Sequence, residues 1–375
     1  MNFDLSDDDA ALQDSVARWV QQRYPFERRY KLAQQSPGFS PEHWKEMAQL
    51  GWLALPFDEA LGGLGGGPLA TMLMMEQLGK GLVLEPYLPN VLLFGALMQR
   101  SARLRDTWVP KLIEGGVQGA LAWQERHGHH ELADLQTTLR PAGDGFVLDG
   151  EKVLVFNGAA AEQLVVSARS SGGRFDEAGV SLVCIDATAP GVERAPLQLM
   201  DGQWVARLQL RGVQVKAGQL LFAPGEGFAP LQQTVQDAMR ALCAEAFGVM
   251  QMLQATTLEY VKTRKQFGVP IGSFQALQHR LVDMYAALEQ TRALLYRAVC
   301  SADEGHADAQ RDLLALKVMV GKAGRLIGGE AVQMHGGMGI TDELVVGHGM
   351  KRLRVIDSSF GNADVQRARF AALAA

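Results

Sequence analysis

This sequence predicts a mainly α-helical protein with a β insertion. An N-terminal α-helical domain covers residues 1–117, a middle β-sandwich or barrel domain 118–225 and a C-terminal four-helix bundle 226–375. Three observations carry the prediction. Apolar residues recur at helical intervals up to about residue 115, short β-branched runs separated by turn residues follow from about 118 to 222, and long helical patterns return after Gly227.

The first helix starts at Ser6, whose side-chain oxygen is placed to cap free amides. Asp7, Asp8 and Asp9 then sit at the positive end of the helix dipole, and Leu12, Val16 and Val20 form its apolar face. His43 to Leu50, Leu69 to Leu78 and Trp108 to Ile113 continue the helical spacing. The glycine-rich stretch Gly62-Gly63-Leu64-Gly65-Gly66-Gly67-Pro68 invites a phosphate-loop reading. No strand precedes it and no Lys-Ser or Lys-Thr follows, so a flexible turn is expected. Five strand-length runs come next: Gly145 to Gly150, Lys152 to Phe156, Gln163 to Ser167, Val180 to Ile185 and Ala206 to Leu210. Their regular spacing is that of a sandwich or barrel. A helix beginning near Ala229, an apolar stripe through Leu277, Leu281, Tyr285 and Leu288, and another amphipathic run from Leu313 to Ile327 complete the bundle.

Composition removes several functional classes. With 375 residues the chain exceeds one typical domain, and 47% hydrophobic with 21% charged residues is ordinary for a globular protein. A formal charge of -5 argues against a nucleic-acid surface, which needs clustered Lys and Arg. Cys184, Cys243 and Cys300 are odd in number, far apart and without a CxxC, which predicts reduced core thiols in place of a disulfide frame or zinc site. The acidic N-terminus lacks signal-peptide character, and no run of about 18 apolar residues occurs, so a cytoplasmic protein without membrane insertion is expected.

Two segments near the C-terminal third carry the chemistry: Arg264-Lys265-Gln266-Phe267-Gly268 continuing to Gln275, and Gln333-Met334-His335-Gly336-Gly337-Met338-Gly339. An arginine presents a planar, permanently charged fork to phosphate oxygens, and paired glycines let a backbone approach a ligand closely. Upstream, Asp149-Gly150-Glu151-Lys152 is followed by Asn157-Gly158. In this order, over essentially the whole chain, these blocks resemble the N-G-x-K…N-G block and the two flavin-binding signatures of the acyl-CoA dehydrogenase family.

The resemblance implies FAD as cofactor, held by segments of neighbouring subunits. Arg264 would clamp the pyrophosphate, Gln333 would offer an amide, Gly336 and Gly337 would admit the cofactor, and Phe267 would pack beside the adenine or flavin. Gln266, Gln275 and Asn362 complete the implied cofactor set. The implied reaction is α,β-desaturation of an acyl-CoA by proton abstraction and hydride transfer to flavin N5. Arg240 and His130 are the implied substrate-binding residues, and an electron-transfer flavoprotein or similar acceptor is the implied electron partner. The His127, His129 and His130 cluster beside Arg126 suits solvent or a CoA phosphate better than a metal, for which further ligands are missing.

The reaction requires a carboxylate as base. The family places it either near the C-terminus, where this chain has Phe360, or on the helix beginning near Ala229, where Met239 or Ala238 stands. Three nearby acids are candidates: Asp237, Glu245 in an apolar segment where burial raises a carboxylate pKa, and Glu125. Asp237 is the expected base, kept ionised by Arg240. The competing readings are an ion pair of Asp237 with Arg240 or Arg264, and a buried hydrogen-bonded role for Glu245. The β-domain departs from the family as well: T-E-P-x-x-G-S-D reads Gln124-Glu125-Arg126-His127-Gly128-His129-His130-Glu131, and the flavin-contact triplet W-I-T reads Leu154-Val155-Phe156. With these departures the chain most resembles the small subunit of bacterial two-subunit enzymes of the pimeloyl-CoA dehydrogenase type, which act with a paralogous subunit. A self-sufficient homo-oligomer, dimer or tetramer, with a relocated base, and a structural subunit lacking its own base, stand beside that reading.

Overall fold

The structure, a computed structural model, describes residues 5–128 and 130–373. Six helices come first: α1 (Asp7–Arg23), α2 (Phe26–Ala33), α3 (Pro41–Gln49), α4 (Pro68–Lys80), α5 (Ala96–Arg100) and α6 (Arg105–Ile113). Seven strands follow: β1 (Gly119–Ala122), β2 (Thr138–Ala142), β3 (Gly145–Phe156), β4 (Gln163–Arg169), β5 (Val180–Asp186), β6 (Val192–Gln198) and β7 (Trp204–Lys216). The remainder is helix α7 (Phe228–Thr263), the short strands β8 (Lys265–Gln266) and β9 (Val269–Pro270), and helices α8 (Gln275–Asp303), α9 (Ala309–His335), α10 (Val345–Ser358) and α11 (Ala363–Ala372). Ser6 caps α1 by accepting a hydrogen bond from the Asp9 N–H at 3.1 Å, as its sequence predicts. Among the described residues no helix is long and apolar enough to cross a membrane.

Contacts divide the chain into two compact units, one built from residues up to 31, 67–83 and 239 onward, the other from 32–66 and 84–238. In the second unit, β1 to β7 form one sheet in the order β1-β4-β2-β3-β7-β6, with β5 paired to β4. The long β3–β7 pair shifts register twice, between Leu148 and Gly150 and between Lys152 and Val155, and such bulges bend and twist a sheet. The β-rich stretch is therefore one curled sheet over a core that includes Leu148, Val166, Val183 and Leu208. The glycine-rich stretch is more constrained than a flexible turn. Gly65 and Gly66 donate to the Phe57 and Leu55 carbonyls, and a Cβ on Gly63 would lie 2.0 Å from the Phe57 oxygen.

The first unit is helical. Helix α8 buries Met284, Ala287, Leu288, Thr291 and Leu295, whereas Tyr285, expected on the apolar stripe, is exposed beside exposed Val282. Cys184 and Cys243 are buried, but Cys300 is only half-buried, so it is no core thiol. Helix α4 is buried on nearly every side from Met72 to Gly79 and packs backbone to backbone against α7. A Cβ on Gly79 would sit 2.1 Å from the Glu245 carbonyl oxygen, and one on Gly248 would sit 1.9 Å from that of Glu76. Because the obstacle is main chain, Gly248→Ala must push the helices apart. It is expected to cost about 1–3 kcal/mol, read as a lowered urea midpoint at unchanged slope.

Candidate active site

Helix α7 ends at Thr263, and the chain turns at once into the β8–β9 hairpin, in which Lys265 faces Pro270 and Gln266 faces Val269. The two turn residues, Phe267 (φ 53°) and Gly268 (φ 83°), both have positive φ, the requirement of the tight hairpin turn matching strand twist. Gly268 accepts this freely and Phe267 does so under strain. Phe267 is also 91% exposed, its ring meeting Phe274 edge-on at 6.2 Å. A strained, bare aromatic residue at a turn is poor economy for folding and typical of a contact surface. Arg264 stands at the base of this hairpin, where its carbonyl accepts from the Ile271 N–H. Its exposed guanidinium has no hydrogen-bond or ion-pair partner among the described residues. Gln266 and Gln275 are exposed on the same hairpin and at the start of α8.

Helix α9 stops at His335 because Gly336 takes φ 62° and ψ -141°, a conformation essentially confined to glycine. A Cβ at Gly336 or Gly337 would meet nothing within 4 Å, and Gln333 is exposed one turn earlier. Asn362 caps α11, its side-chain oxygen accepting from the Val365 N–H.

These features fit a flavin dinucleotide. A cation without a protein counterion suits the pyrophosphate, bare glycine backbone admits close approach, and the exposed aromatic ring offers a stacking face. The segment that stands where the family has its W-I-T triplet belongs to the sheet unit. Leu154 takes φ 50° at the β3 register shift and is 41% exposed, while Val155 beside it is buried. Asn157 (φ 60°) is fixed by amide donation to Gln118 Oε1 and the Gly119 carbonyl, both at 3.0 Å.

Neither family base position holds an acid, and both are packed. Phe360 is 5% exposed at φ 58°, followed by Gly361 at φ 98°, and its carbonyl accepts from Gln366 Nε2 at 2.6 Å. This turn is anchored by buried Lys317, whose Nζ donates to the Ile356 and Asp357 carbonyls at 2.8 and 2.9 Å. Burial pushes the Lys317 ammonium below its ordinary pKa. Ala238 and Met239 are buried too.

The three candidate acids all have partners. Buried Glu245 is gripped by both ends of the Arg352 fork at 2.6 and 2.9 Å, the hydrogen-bonded role considered for it. Glu125 accepts from Lys152 Nζ at 2.7 Å and from the Gln136 and Thr137 N–H groups, and Lys152 has no exposed side-chain surface. Burial would raise the Glu125 pKa, but the Lys152 charge and these hydrogen bonds hold the carboxyl below its usual range. Asp237 pairs with Arg100, on another helix, at 2.9 Å and accepts from Gln233 Nε2 at 3.1 Å, partners that the sequence expectation did not include. Its side chain is 36% exposed against 3% for Glu125 and 7% for Glu245.

Of the expected substrate residues, Arg240 is buried and His130 is half-buried at φ 72°. His127 Nε2 lies 3.6 Å from Glu125 Oε2 at a cavity of about 360 Å³ that Thr137 and Gln209 also line; His129 lies outside the described residues. Among the described residues no three His, Cys, Asp or Glu side chains gather as a metal site. Sequence reasoning passed over Lys152 as the partner of Glu125, and Tyr260 with His335, whose rings stack at 4.1 Å. The signal was proximity: Tyr260 precedes Arg264 by one helical turn and His335 adjoins Gly336.

Comparison with known proteins identifies the family. Family models of the acyl-CoA dehydrogenase N-terminal, middle and C-terminal domains match residues 6–116, 120–213 and 225–374. The chain belongs to the acyl-CoA dehydrogenase family, whose members are FAD-dependent oxidoreductases. It is similar to L-prolyl-[peptidyl-carrier protein] dehydrogenase of a Serratia species, 29% identical over 358 residues, covering 92% of this chain and 90% of that one. Among solved structures it resembles PigA with FAD and proline at TM-score 0.91 and 27% identity, over 99% of this chain and 98% of that one. It also resembles the ChsE4-ChsE5 complex from Mycobacterium tuberculosis at TM-score 0.89 and 25% identity, over 99% and 98%.

Proposed function

We propose that this chain holds FAD between subunits and serves the α,β-desaturation of an acyl thioester, as one subunit of an assembly with a paralogous chain or with copies of itself. The observation that carries the reading is the set of features left uncovered on the helical unit: unpartnered Arg264, bare and strained Phe267, and open Gly336 and Gly337. A site in which one chain supplies cation and glycines for a cofactor lodged against another requires an oligomer, and closed symmetric dimers or tetramers are the common solution. The similar two-subunit ChsE4-ChsE5 complex supports a paralogous partner, as does the pair of acid-less base positions at Phe360 and Met239.

In this reading, bound flavin supplies the hydride acceptor for the β-carbon. Arg264 would hold the pyrophosphate, Gln333, Gln266 and Gln275 would offer amides, and Gly336 and Gly337 would admit close approach of the dinucleotide. Arg240 and His130 bind substrate. Asp237 removes the α-proton, because it is the candidate acid a substrate reaches without opening a buried ion pair. The partner acceptor would be an electron-transfer flavoprotein or similar protein, the protein works in the cytoplasm, and the functional division is 1–117, 118–225 and 226–375. The Serratia relative is an L-prolyl-[peptidyl-carrier protein] dehydrogenase, so both CoA and carrier-bound acyl groups belong in the assay.

Arg264→Ala tests the cofactor half directly. Losing a charged hydrogen-bond donor to phosphate is worth about 1.5–3 kcal/mol, so FAD affinity should fall about 10- to 100-fold. An exposed side chain without protein partners leaves the fold intact, so the circular dichroism spectrum is expected to be unchanged. A flavin-to-protein absorbance ratio equal to that of the wild type would remove Arg264 from the site.

A further inference from the structure

We infer that the stack of Tyr260 on His335 is a positioning device that sets the Arg264 hairpin against the Gly336–Gly337 segment, so that both meet one dinucleotide. The inference rests on the reading that these two segments hold FAD, and it assigns a role to two residues outside that set.

The two segments leave different helices. Arg264 follows α7 and Gly336 follows α9, and helix ends fray. Among the described residues no hydrogen bond or ion pair joins 264–270 to 333–341. Both protrude: Phe267 is 91%, Met338 51% and Ile340 73% exposed. What connects their roots is a ring pair with centroids 4.1 Å apart and planes 25° from parallel.

Each ring is tied to the element it serves. The Tyr260 carbonyl accepts the Arg264 N–H at 2.8 Å, closing the last turn of α7 directly beneath the clamp. His335 is 4% exposed and is the last residue of α9, bonded directly to Gly336. Its Nδ1 lies 2.8 Å from the Ala331 carbonyl, which only accepts, so Nδ1 carries the proton and the ring plane is fixed. Val332 and the His335 Cβ also crowd Gly339, where an added Cβ would lie 2.6 Å from the Val332 carbonyl oxygen. The glycine segment is thus built from the His335 end outward. A clamp and a cradle that must both contact one ligand lose affinity when their spacing is free to vary, because binding must then order it.

Tyr260→Leu keeps apolar bulk and removes the stack, while Tyr260→Phe keeps the ring and removes only the hydroxyl. FAD released on serial dilution of the holoenzyme, followed by flavin fluorescence, gives the dissociation constant for each variant, with Arg264→Ala run in parallel. Tyr260→Leu is expected to weaken FAD binding about three- to tenfold, the range of an aromatic pair, and Tyr260→Phe to remain within about twofold of wild type. His335→Leu should reproduce the Tyr260→Leu loss, and combining the two should add little to either alone, as coupled residues do. Wild-type affinity in Tyr260→Leu beside weakened Arg264→Ala overturns the positioning role while leaving the flavin site standing. Wild-type affinity in both overturns the flavin site itself. A lowered melting temperature in Tyr260→Leu with an unchanged dissociation constant for the folded fraction makes the stack structural only, and equal losses in Tyr260→Leu and Tyr260→Phe assign the effect to the hydroxyl; either result overturns the inference.

Discussion

Lys152→Met is expected to destabilise the protein by about 3–5 kcal/mol, because it strands a carboxylate in the interior of the sheet unit. Lys152 Nζ lies 2.7 Å from Glu125 Oε1, 3.2 Å from Ser167 Oγ and 3.4 Å from the Trp123 carbonyl, with no side-chain surface reaching solvent. Methionine fills similar space but supplies none of these contacts. Glu125 would keep the Gln136 and Thr137 N–H donors, at 2.8 and 3.1 Å, and the half-exposed His127 ring at 3.6 Å, none of which replaces the buried ammonium. The pH dependence distinguishes a stranded charge from simple misfit. In the wild type the Glu125 carboxyl is held below its ordinary value of 4.5, so its stabilisation is complete above that value and is lost as pH falls through the folded pKa. In the variant the Lys152 charge is gone, burial dominates, and the folded pKa rises above the unfolded one. Its penalty is then largest near neutral pH and is relieved as pH falls toward 4.5. The gap in unfolding free energy between wild type and Lys152→Met should therefore narrow on acidification, and adding Glu125→Gln should recover part of it. A gap independent of pH, measured by urea denaturation, would mean that packing alone is at stake.

The sequence carried the helices well where their pattern is periodic or capped, as at Ser6 and α1, and it carried the order of helical, β-rich and helical segments. It failed where pairing alone makes the element. Strand β1 reads Gly-Ala-Leu-Ala, without a β-branched residue, and is a strand because it lies parallel to β4 with Gly119 opposite Gln163. Strand β6 is largely exposed and contains Pro196, which an edge strand tolerates; β7 alone holds it in the sheet. Helix α8 misled for the opposite reason: Leu281 and Tyr285 keep helical spacing, yet Tyr285 is exposed, because spacing alone does not say how wide a stripe the neighbouring helices cover. At the site, local motifs were legible because a hairpin signature and a glycine pair are contiguous in sequence. The partners of the acids were not, since Arg100 lies 137 residues from Asp237, Arg352 lies 107 from Glu245 and Lys152 lies 27 from Glu125. Only folding brings such pairs together.

On the reading that Asp237 is the base, Asp237→Asn is expected to lower turnover at least about a hundredfold while leaving flavin content unchanged, because it preserves shape and removes the charged oxygen that proton abstraction would require. The stability change should be small, about 0–1 kcal/mol, since the Asp237 and Arg100 side chains are 36% and 30% exposed and an arginine so placed regains water when its partner is neutral. That separation makes the test informative: a rate loss without a matching fall in melting temperature belongs to chemistry. Glu245→Gln is the control, because the Arg352 fork holds Glu245 in a buried pair and its loss should register in stability before it registers in rate. Turnover by Asp237→Asn equal to wild type would sink the assignment. If instead the wild-type chain reduces no flavin with acyl thioester until a paralogous subunit is added, the base belongs to that partner, and buried Phe360 marks a position whose acid the assembly does not need from this chain.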